Sequence, residues 1–470
     1  MNKQIAGAGE PQEVDGAWTK RQISRRKLLT NAVAGAVVLT PVRWISLPGA
    51  GVGGAAASSR PVMATEFDAA VPTAWFDLVG RLIKGTPGYT PPVASRALGC
   101  LGVGLYESLA PGMPGHRSLA GILNALGPMP AAGQNAAYHW PSVANAALAS
   151  MTRGLFPTAP SALQAQINDL EAQLAGGAPQ GIQTRSIDRG RAVAAAVDAW
   201  SRGDGGHEGY LRNFPTDYVP PQGDGLWVPT APGFLRAMQP YWGQNRPMAL
   251  SSAAVGDPGP PPPFSTETGS AFYGEAHEVY TTVNGLNAER RDIALFWADD
   301  PVNTATPPGH WSSIATQILR SQDRSLADAA VTYLRVGVGV CDAFIACWRV
   351  KFIHNLIRPI SYIRSYIDAG WGNPLPVTTP PFPEYTSGHS VQSGASATVM
   401  TATFGPLAFT DHTHDERGLA PRSFSSFEAA AQEAAISRLY GGIHYRAAID
   451  RGIEQGRRIG AAVAALPLQG

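Results

Sequence analysis

The chain has 470 residues, of which 44% are hydrophobic and 15% charged, and its formal net charge is +1. That is enough apolar material for a large core, in one big domain or two half-domains. So even a charge balance argues against a polyanion-binding surface, and nucleic acid is not an expected partner. The 52 glycines and 40 prolines fall between periodic stretches, so they mark long ordered loops and not global disorder.

In chain order, Arg25-Arg26 stand directly ahead of an apolar run from Leu28 to Leu39, with small residues at Ala55-Ala56-Ala57. This order resembles a twin-arginine export signal, and the run is too short to be a stable bilayer anchor. Residues 1–57 are therefore expected to be export signal and linker, with a mature protein starting near Ser58 that is periplasmic or extracellular. No other stretch reads as apolar enough to span a membrane, so no integral membrane anchor is expected.

Two further divisions follow: an N-terminal helical half, 58–263, and a C-terminal helical half, 264–470. Apolar residues at three- and four-residue intervals predict two helices between residues 65 and 110. Further helices are expected over Gln134–Leu155, Pro160–Leu174 and Ile182–Ser201. Residues 203–265 read as a long loop, ending in a tetraproline at 260–263 that forms a stiff spacer. In the second half, PVNTATPPGH reads as a loop before a helix over Trp311–Arg320. A long helical segment covers about 325–358. A proline-rich loop then leads to Pro383, a helix follows Ser387, and two more begin near residue 426. No convincing alternating strands occur. The fold class is all-α, helix bundles in two halves with long Pro/Gly-rich loops. Cys100, Cys341 and Cys347 are an odd count, and the last two lie six apart on different faces of a helix, so all three read as small buried hydrophobes.

Three stretches carry chemistry. On the long helix, Trp348, Lys351 and Arg358 share a face, since Lys351 and Arg358 are two turns apart. Taken alone, two cations near a helix C-terminus are ordinary. In PFPEYTSGHS (381–390), prolines rule out a helix up to Pro383, and Ser387-Gly388-His389 then open one. Backbone N–H groups at a helix start bind anions, and glycine lets a ligand approach closely. The plain alternative is a serine N-cap with an incidental histidine. In SRLYGGIHYRAAID, Gly441-Gly442 break a helical run and re-aim His444, six residues after Arg438. Together these supply three cations for a tetrahedral oxyanion, hydroxyl and N–H donors to complete the cradle, and two histidines, one for its central atom and one for proton transfer.

The order Lys-x6-Arg-Pro, Ser-Gly-His, Ser-Arg-x5-His resembles the vanadium-dependent haloperoxidases and the related type 2 phosphatidic acid phosphatases. The motifs span about residues 348–450. SRALGCLGVGLYESLAPGMPGHRSLAG and FWADDPVNTATPPGHW are similar to bacterial members of the haloperoxidase-like group. The resemblance implies that vanadate is held by Lys351, Arg358, Ser387, Gly388, Arg438 and His444, with His444 on the metal. Phosphate would take the same place in the apo enzyme. It implies that His389 is the acid/base that assists peroxide binding and that Lys351 polarises the peroxide. Trp348 and Phe382 match the aromatic halide pocket of the chloroperoxidase branch, and Ser396 stands where the family varies with halide preference.

The implied partners are hydrogen peroxide, a halide and a small organic substrate, and the oligomeric state, a homo-oligomer included, stays open. The alternative is an exported acid phosphatase that uses the same site through a phosphohistidine. A non-catalytic oxyanion binder is weaker, because it needs no pair of histidines.

Thr386 stands where the family often has proline. Ala448 stands where many members have an aspartate four after the apical histidine, and Asp450 is the nearest acid, so the usual orienting partner of His444 is missing from the motif. Asp299 or Asp300 is expected to be a counter-ion for the arginines. Glu384 and Thr386 have no task assignable from the sequence.

Overall fold

The computed structural model describes residues 62–372 and 375–470. The expected export segment, 1–57, lies outside them. Among the described residues the fold is all-α apart from one two-stranded ribbon.

The first helices are α1 (Ala70–Gly85), α2 (Pro91–Leu109), α3 (Trp140–Leu155), α4 (Ser161–Gln173) and α5 (Gln180–Arg202). They match the periodic stretches, except that α3 starts at Trp140 and not near Gln134. The region 203–265 holds only two short 3-10 turns, as its Pro and Gly content requires. Then follow α6 (Ala271–Asn284), α7 (Ala288–Phe296) and α8 (Thr306–Ser321). α8 begins five residues before the expected Trp311. Pro307 and Pro308 lie in its first turn, where a missing N–H leaves no hydrogen bond unmade.

The central element is α9 (Leu326–His354). Ser325 caps it in a reciprocal box with Asp328, and Asn355 ends it in the left-handed conformation at φ 45°. It stops four residues short of the expected boundary. By length and composition α9 is apolar enough to cross a bilayer, contrary to the expectation from sequence, but 89% of its most apolar 18-residue stretch is buried inside the fold. It is a core helix. Next come α10 (Pro359–Tyr366), α11 (Gly388–Phe404), the paired strands β1 (Phe409–Asp411) and β2 (Arg422–Phe424), α12 (Phe427–Tyr440) and α13 (Arg446–Ala464). Two strands of three residues carry too little alternation to be seen in a sequence.

α9 packs mainly on α2 and α11, and α11 on α13. The first crossing is a backbone contact: a Cβ on Gly102 would lie 2.3 Å from the Tyr333 carbonyl oxygen. Only glycine permits that approach. The second is similar, since a Cβ on Gly456 would lie 2.1 Å from the Val391 carbonyl oxygen. The three cysteines are buried and free.

The long loop is tied to α9 by a buried carboxylate. Asp342 accepts backbone N–H groups from Met248, Ala249 and Leu250 at 2.6, 2.8 and 2.9 Å. Further along, Trp227 N–H donates to the Asn355 carbonyl and Met238 N–H to the Pro381 carbonyl. The loop is thereby fixed against the end of α9 and against the proline segment that precedes α11.

Candidate active site

Trp348 and Lys351 come from the last two turns of α9, and Arg358 from beyond its end. Arg358 is not on that helix, contrary to the face-sharing expectation. It is the N-cap of α10, with extended backbone. The chain break at Asn355 and Pro359, not helical periodicity, brings the two cations together. Lys351 is fully buried and donates to the carbonyls of Pro383, Glu384 and Thr386. An ammonium has three donors, so all are engaged in holding the loop before α11. Burial, with the nearby Arg358 charge, pulls the Lys351 amine down to about 7.

Ser387 is the N-cap of α11, and its Oγ accepts the Ser390 N–H at 3.3 Å. Both readings of Ser-Gly-His therefore describe the same residues: a capping serine whose hydroxyl hydrogen is still available, then Gly388 and His389 in the first turn. Gly388 and His389 line a cleft of about 370 Å³ together with Trp348, Phe382, Arg438 and His444. Lys351, Arg358 and Ser387 lie behind that lining, each fully buried. Ser396 is also buried on α11 but does not line the cleft.

The third stretch arrives from the end of α12. Arg438 donates from Nε to Ser437 Oγ at 2.8 Å and from Nη2 to the Ala294 carbonyl at 3.1 Å. Gly442, at φ 75°, turns the chain so that His444 faces back towards Arg358. Arg358 Nη1 lies 3.3 Å from His444 Nε2 and 2.9 Å from the Ile443 carbonyl oxygen.

These contacts set the tautomer of His444. A guanidinium only donates, so Nε2 is the acceptor and the proton sits on Nδ1. Nδ1 lies 2.7 Å from Glu384 Oε1, which also accepts the Tyr445 N–H at 2.8 Å. Glu384 thus supplies the orienting carboxyl group that the motif lacked. Asp450 is exposed on α13, and the Ala448 backbone carbonyl accepts the Ser387 N–H. Burial pushes the Glu384 carboxyl up to about 8, against the pull of Arg358 and Lys351. Burial and the surrounding cations hold His444 well below the ordinary histidine range, which keeps its Nε2 unprotonated. Thr386 also finds a role: its hydroxyl donates to Gln455 Oε1 at 2.8 Å.

Several buried polar atoms here have no partner: Arg358 Nη2, Arg438 Nη1, His389 Nε2 and Glu384 Oε2. Buried guanidinium N–H groups are rarely left unmet. Two of them beside an unprotonated histidine nitrogen match a tetrahedral oxyanion, so the residues present fit vanadate. Burial lowers Arg358 and Arg438 to about 10, and they remain cations at neutral pH. Burial and the Arg438 charge hold His389 well below its ordinary value. The aromatic pair is in place, with Trp348 and Phe382 ring centroids 4.9 Å apart. Lys351 Nζ lies 5.0 Å from the Phe382 centroid, and the Arg358 guanidinium carbon 4.9 Å.

Asp299 is not an ion-pair partner of the arginines. Its Oδ2 lies 2.8 Å from His310 Nδ1 and its Oδ1 3.2 Å from His414 Nε2, while His310 Nε2 lies 2.7 Å from Asp411 Oδ2. All four groups are buried. The Asp299, His310 and His414 atoms are close enough for a cation. Both ring nitrogens of His310 are taken by carboxylates, however, which describes an imidazolium clamped between two aspartates. Burial opposes that charge, but the two carboxylates outweigh it and raise His310 to about 10. The charges of Asp299 and Asp300 still reach Arg438, where they act against burial. None of His310, Asp411 and His414 stood out in the sequence, because none lies in a motif with the others.

The family description "VCPO second helical-bundle domain" matches residues 331–468. Vanadium chloroperoxidase of Curvularia inaequalis is 28% identical over 193 residues, 34% of this chain and 32% of the fungal enzyme, so the match spans about a third of that relative's length. A solved structure described as the first bacterial vanadium-dependent iodoperoxidase is 37% identical, with TM-score 0.77, over 84% of this chain and 96% of its own. An apo-type bacterial vanadium-dependent chloroperoxidase shares the fold at 16% identity and TM-score 0.62, over 83% of this chain and 99% of its own. With a site built of these residues and a relative that close over nearly its full length, the chain belongs to the vanadium-dependent haloperoxidases.

Proposed function

We propose that this enzyme oxidises a halide with hydrogen peroxide to a hypohalous acid equivalent, which halogenates an organic substrate. The observation that carries the reading is the pair of unpartnered guanidinium N–H groups on Arg358 and Arg438 beside the unprotonated Nε2 of His444. Arg358, Arg438, Ser387, the Gly388 N–H and His444 would hold vanadate, with Lys351 adding charge from behind. When bound, vanadate supplies Lewis-acid activation of hydrogen peroxide for oxygen transfer to the halide.

The protein groups do the rest. Glu384 holds His444 in the tautomer that presents Nε2. His389, neutral and with Nε2 unpartnered, takes a proton from arriving peroxide and returns it as water leaves. The net reaction uses one halide, one peroxide and one proton, and gives hypohalous acid and water. Trp348 and Phe382, beside two cations, form a site for a desolvated halide. That aromatic pair supports oxidation over phosphate-ester hydrolysis, which has no use for it.

The test is vanadate-dependent oxidation of iodide to triiodide by peroxide, run beside phosphate-ester hydrolysis on the vanadate-free protein. Hydrolysis without vanadate-dependent triiodide would overturn the reading. Export along the twin-arginine route rests on Arg25-Arg26 and the Leu28–Leu39 run. Continued export of an Arg25→Lys, Arg26→Lys variant would refute it.

A further inference from the structure

The cleft above the cradle is far less polar than its floor. Its walls are built from Met238, Phe344, Val377 and the Pro380-Pro381 pair, and its outer lip from Phe234 and Leu235. Phe234 is 66% exposed and Leu235 51%, although both are large and apolar. Single exposed hydrophobes mean little, but adjacent ones on the rim of a cavity mark a binding surface. The lip is held in place. Phe234 N–H donates to the Thr230 carbonyl at 2.9 Å, and the Met238 N–H to the Pro381 carbonyl at 2.8 Å. Phe234 also has φ 45°, a backbone region that bulky residues seldom adopt.

Charge narrows the occupant. Above the floor, the lining holds no lysine, arginine or histidine among the described residues, and its only ionisable groups among them are Asp299 and Asp300. Asp299 is already engaged by His310 and His414. An anionic substrate finds no partner on these walls and faces a carboxylate. One wall hydroxyl, Thr379 Oγ1, is buried without a hydrogen-bond partner. The volume, about 370 Å³, is more than twice the roughly 150 Å³ that encloses benzene.

We infer that this cleft binds a neutral, electron-rich aromatic molecule of one or two fused rings with a single polar group, and that halogen transfer takes place on the bound ring. The inference rests on the haloperoxidase reading for its source of electrophilic halogen. The step balances with that source: the ring carbon takes halogen from hypohalous acid, the O–X bond breaks, and the ring proton joins the departing hydroxide as water. A bound ring beside His389 and Arg438 would meet the electrophile before it escapes to solvent. The polar group of the ring is matched by Thr379.

The experiment compares 2-naphthol with its 6-sulfonate, which carries the same ring and an added anion. Reagent hypohalous acid in bulk sets the intrinsic reactivity ratio. With the vanadate-loaded full-length enzyme, the kcat/KM ratio should favour 2-naphthol over that reference by about tenfold or more. A Phe234→Ser, Leu235→Ser double variant should bring the ratio back towards the reagent value, while oxidation of iodide without any aromatic stays unchanged. An enzyme ratio equal to the reagent ratio would overturn the inference.

A second readout separates this from failure of the proposed function. Saturable quenching of 2-naphthol fluorescence by the wild type, weakened about tenfold in the double variant, supports the cleft even if no triiodide forms. Absence of saturable binding overturns it, whatever the oxidase activity.

Discussion

His444 donates its Nδ1 hydrogen to Glu384 at 2.7 Å, across 60 residues of sequence. Glu384 is fully buried and holds the Tyr445 N–H with the same oxygen, so ring and backbone are fixed together. Orienting partners of metal-binding histidines commonly affect affinity by one to two orders of magnitude. Glu384→Ala should therefore weaken vanadate binding about 10- to 100-fold, measured by equilibrium dialysis. Glu384→Gln keeps an acceptor for Nδ1–H and should lose less. Unchanged affinity in the alanine variant would remove Glu384 from this role.

Lys351 gives a pH signature. Its amine is lowered to about 7 by burial and by Arg358, so its charge is present below that pH and fades above it. Anion binding needs the charge. The affinity advantage of the wild type over Lys351→Met should be greatest in mild acid and shrink as pH rises through about 7. Comparing the two proteins cancels the titration of vanadate itself. A constant ratio across neutral pH would show that Lys351 acts only by holding the Pro383–Thr386 loop.

The arginines are predicted to act through geometry as well as charge. Arg358→Lys and Arg438→Lys keep a cation but remove the planar donors Nη2 and Nη1. Loss of one hydrogen bond to a charged group is worth about 1.5–3 kcal/mol, or roughly 10- to 100-fold in affinity. Each variant should show that loss in a vanadate titration. Wild-type affinity in either would exclude that arginine from the cradle.

The glycine crossing of α2 and α9 predicts a stability effect far from the cleft. Gly102→Ala forces a methyl against the Tyr333 carbonyl and should lower stability by about 1–3 kcal/mol. Calorimetry should show a lower Tm. An unchanged Tm would mean the two helices can separate without loss.

The His310 clamp predicts how stability follows pH. The folded-state value is raised, so the stabilisation is fully present below the ordinary histidine value of about 6.5 and is lost as pH rises through about 10. Thermal stability of the wild type should fall across that window. His310→Leu leaves Asp299 and Asp411 without their shared partner, so it should be less stable at neutral pH and lack that slope. A slope equal to that of the wild type would assign it to other groups.

Much of this was legible in the sequence, for definite reasons. Three- and four-residue apolar periodicity marks helices, because one face of each must be buried. The spacing of Lys351, Arg358, Ser387, Gly388, His389, Arg438 and His444 resembled a known site because chemistry restricts which residues can cradle an oxyanion. What failed were inferences that carried local regularity too far. The helix ending at His354 was extended through Arg358, because nothing local signals that Asn355 takes a left-handed turn.

The sequence by itself determined the helices, the apolar bulk and the reactive groups. All of these depend on residue type and short-range order, which periodicity and spacing record directly. The tertiary structure decided the partners. Glu384 meets His444, Thr386 meets Gln455, and His310 lies between Asp299 and Asp411 only because distant segments pack together. No local pattern links them, and it is the Glu384 contact that fixes which nitrogen of His444 faces the cradle.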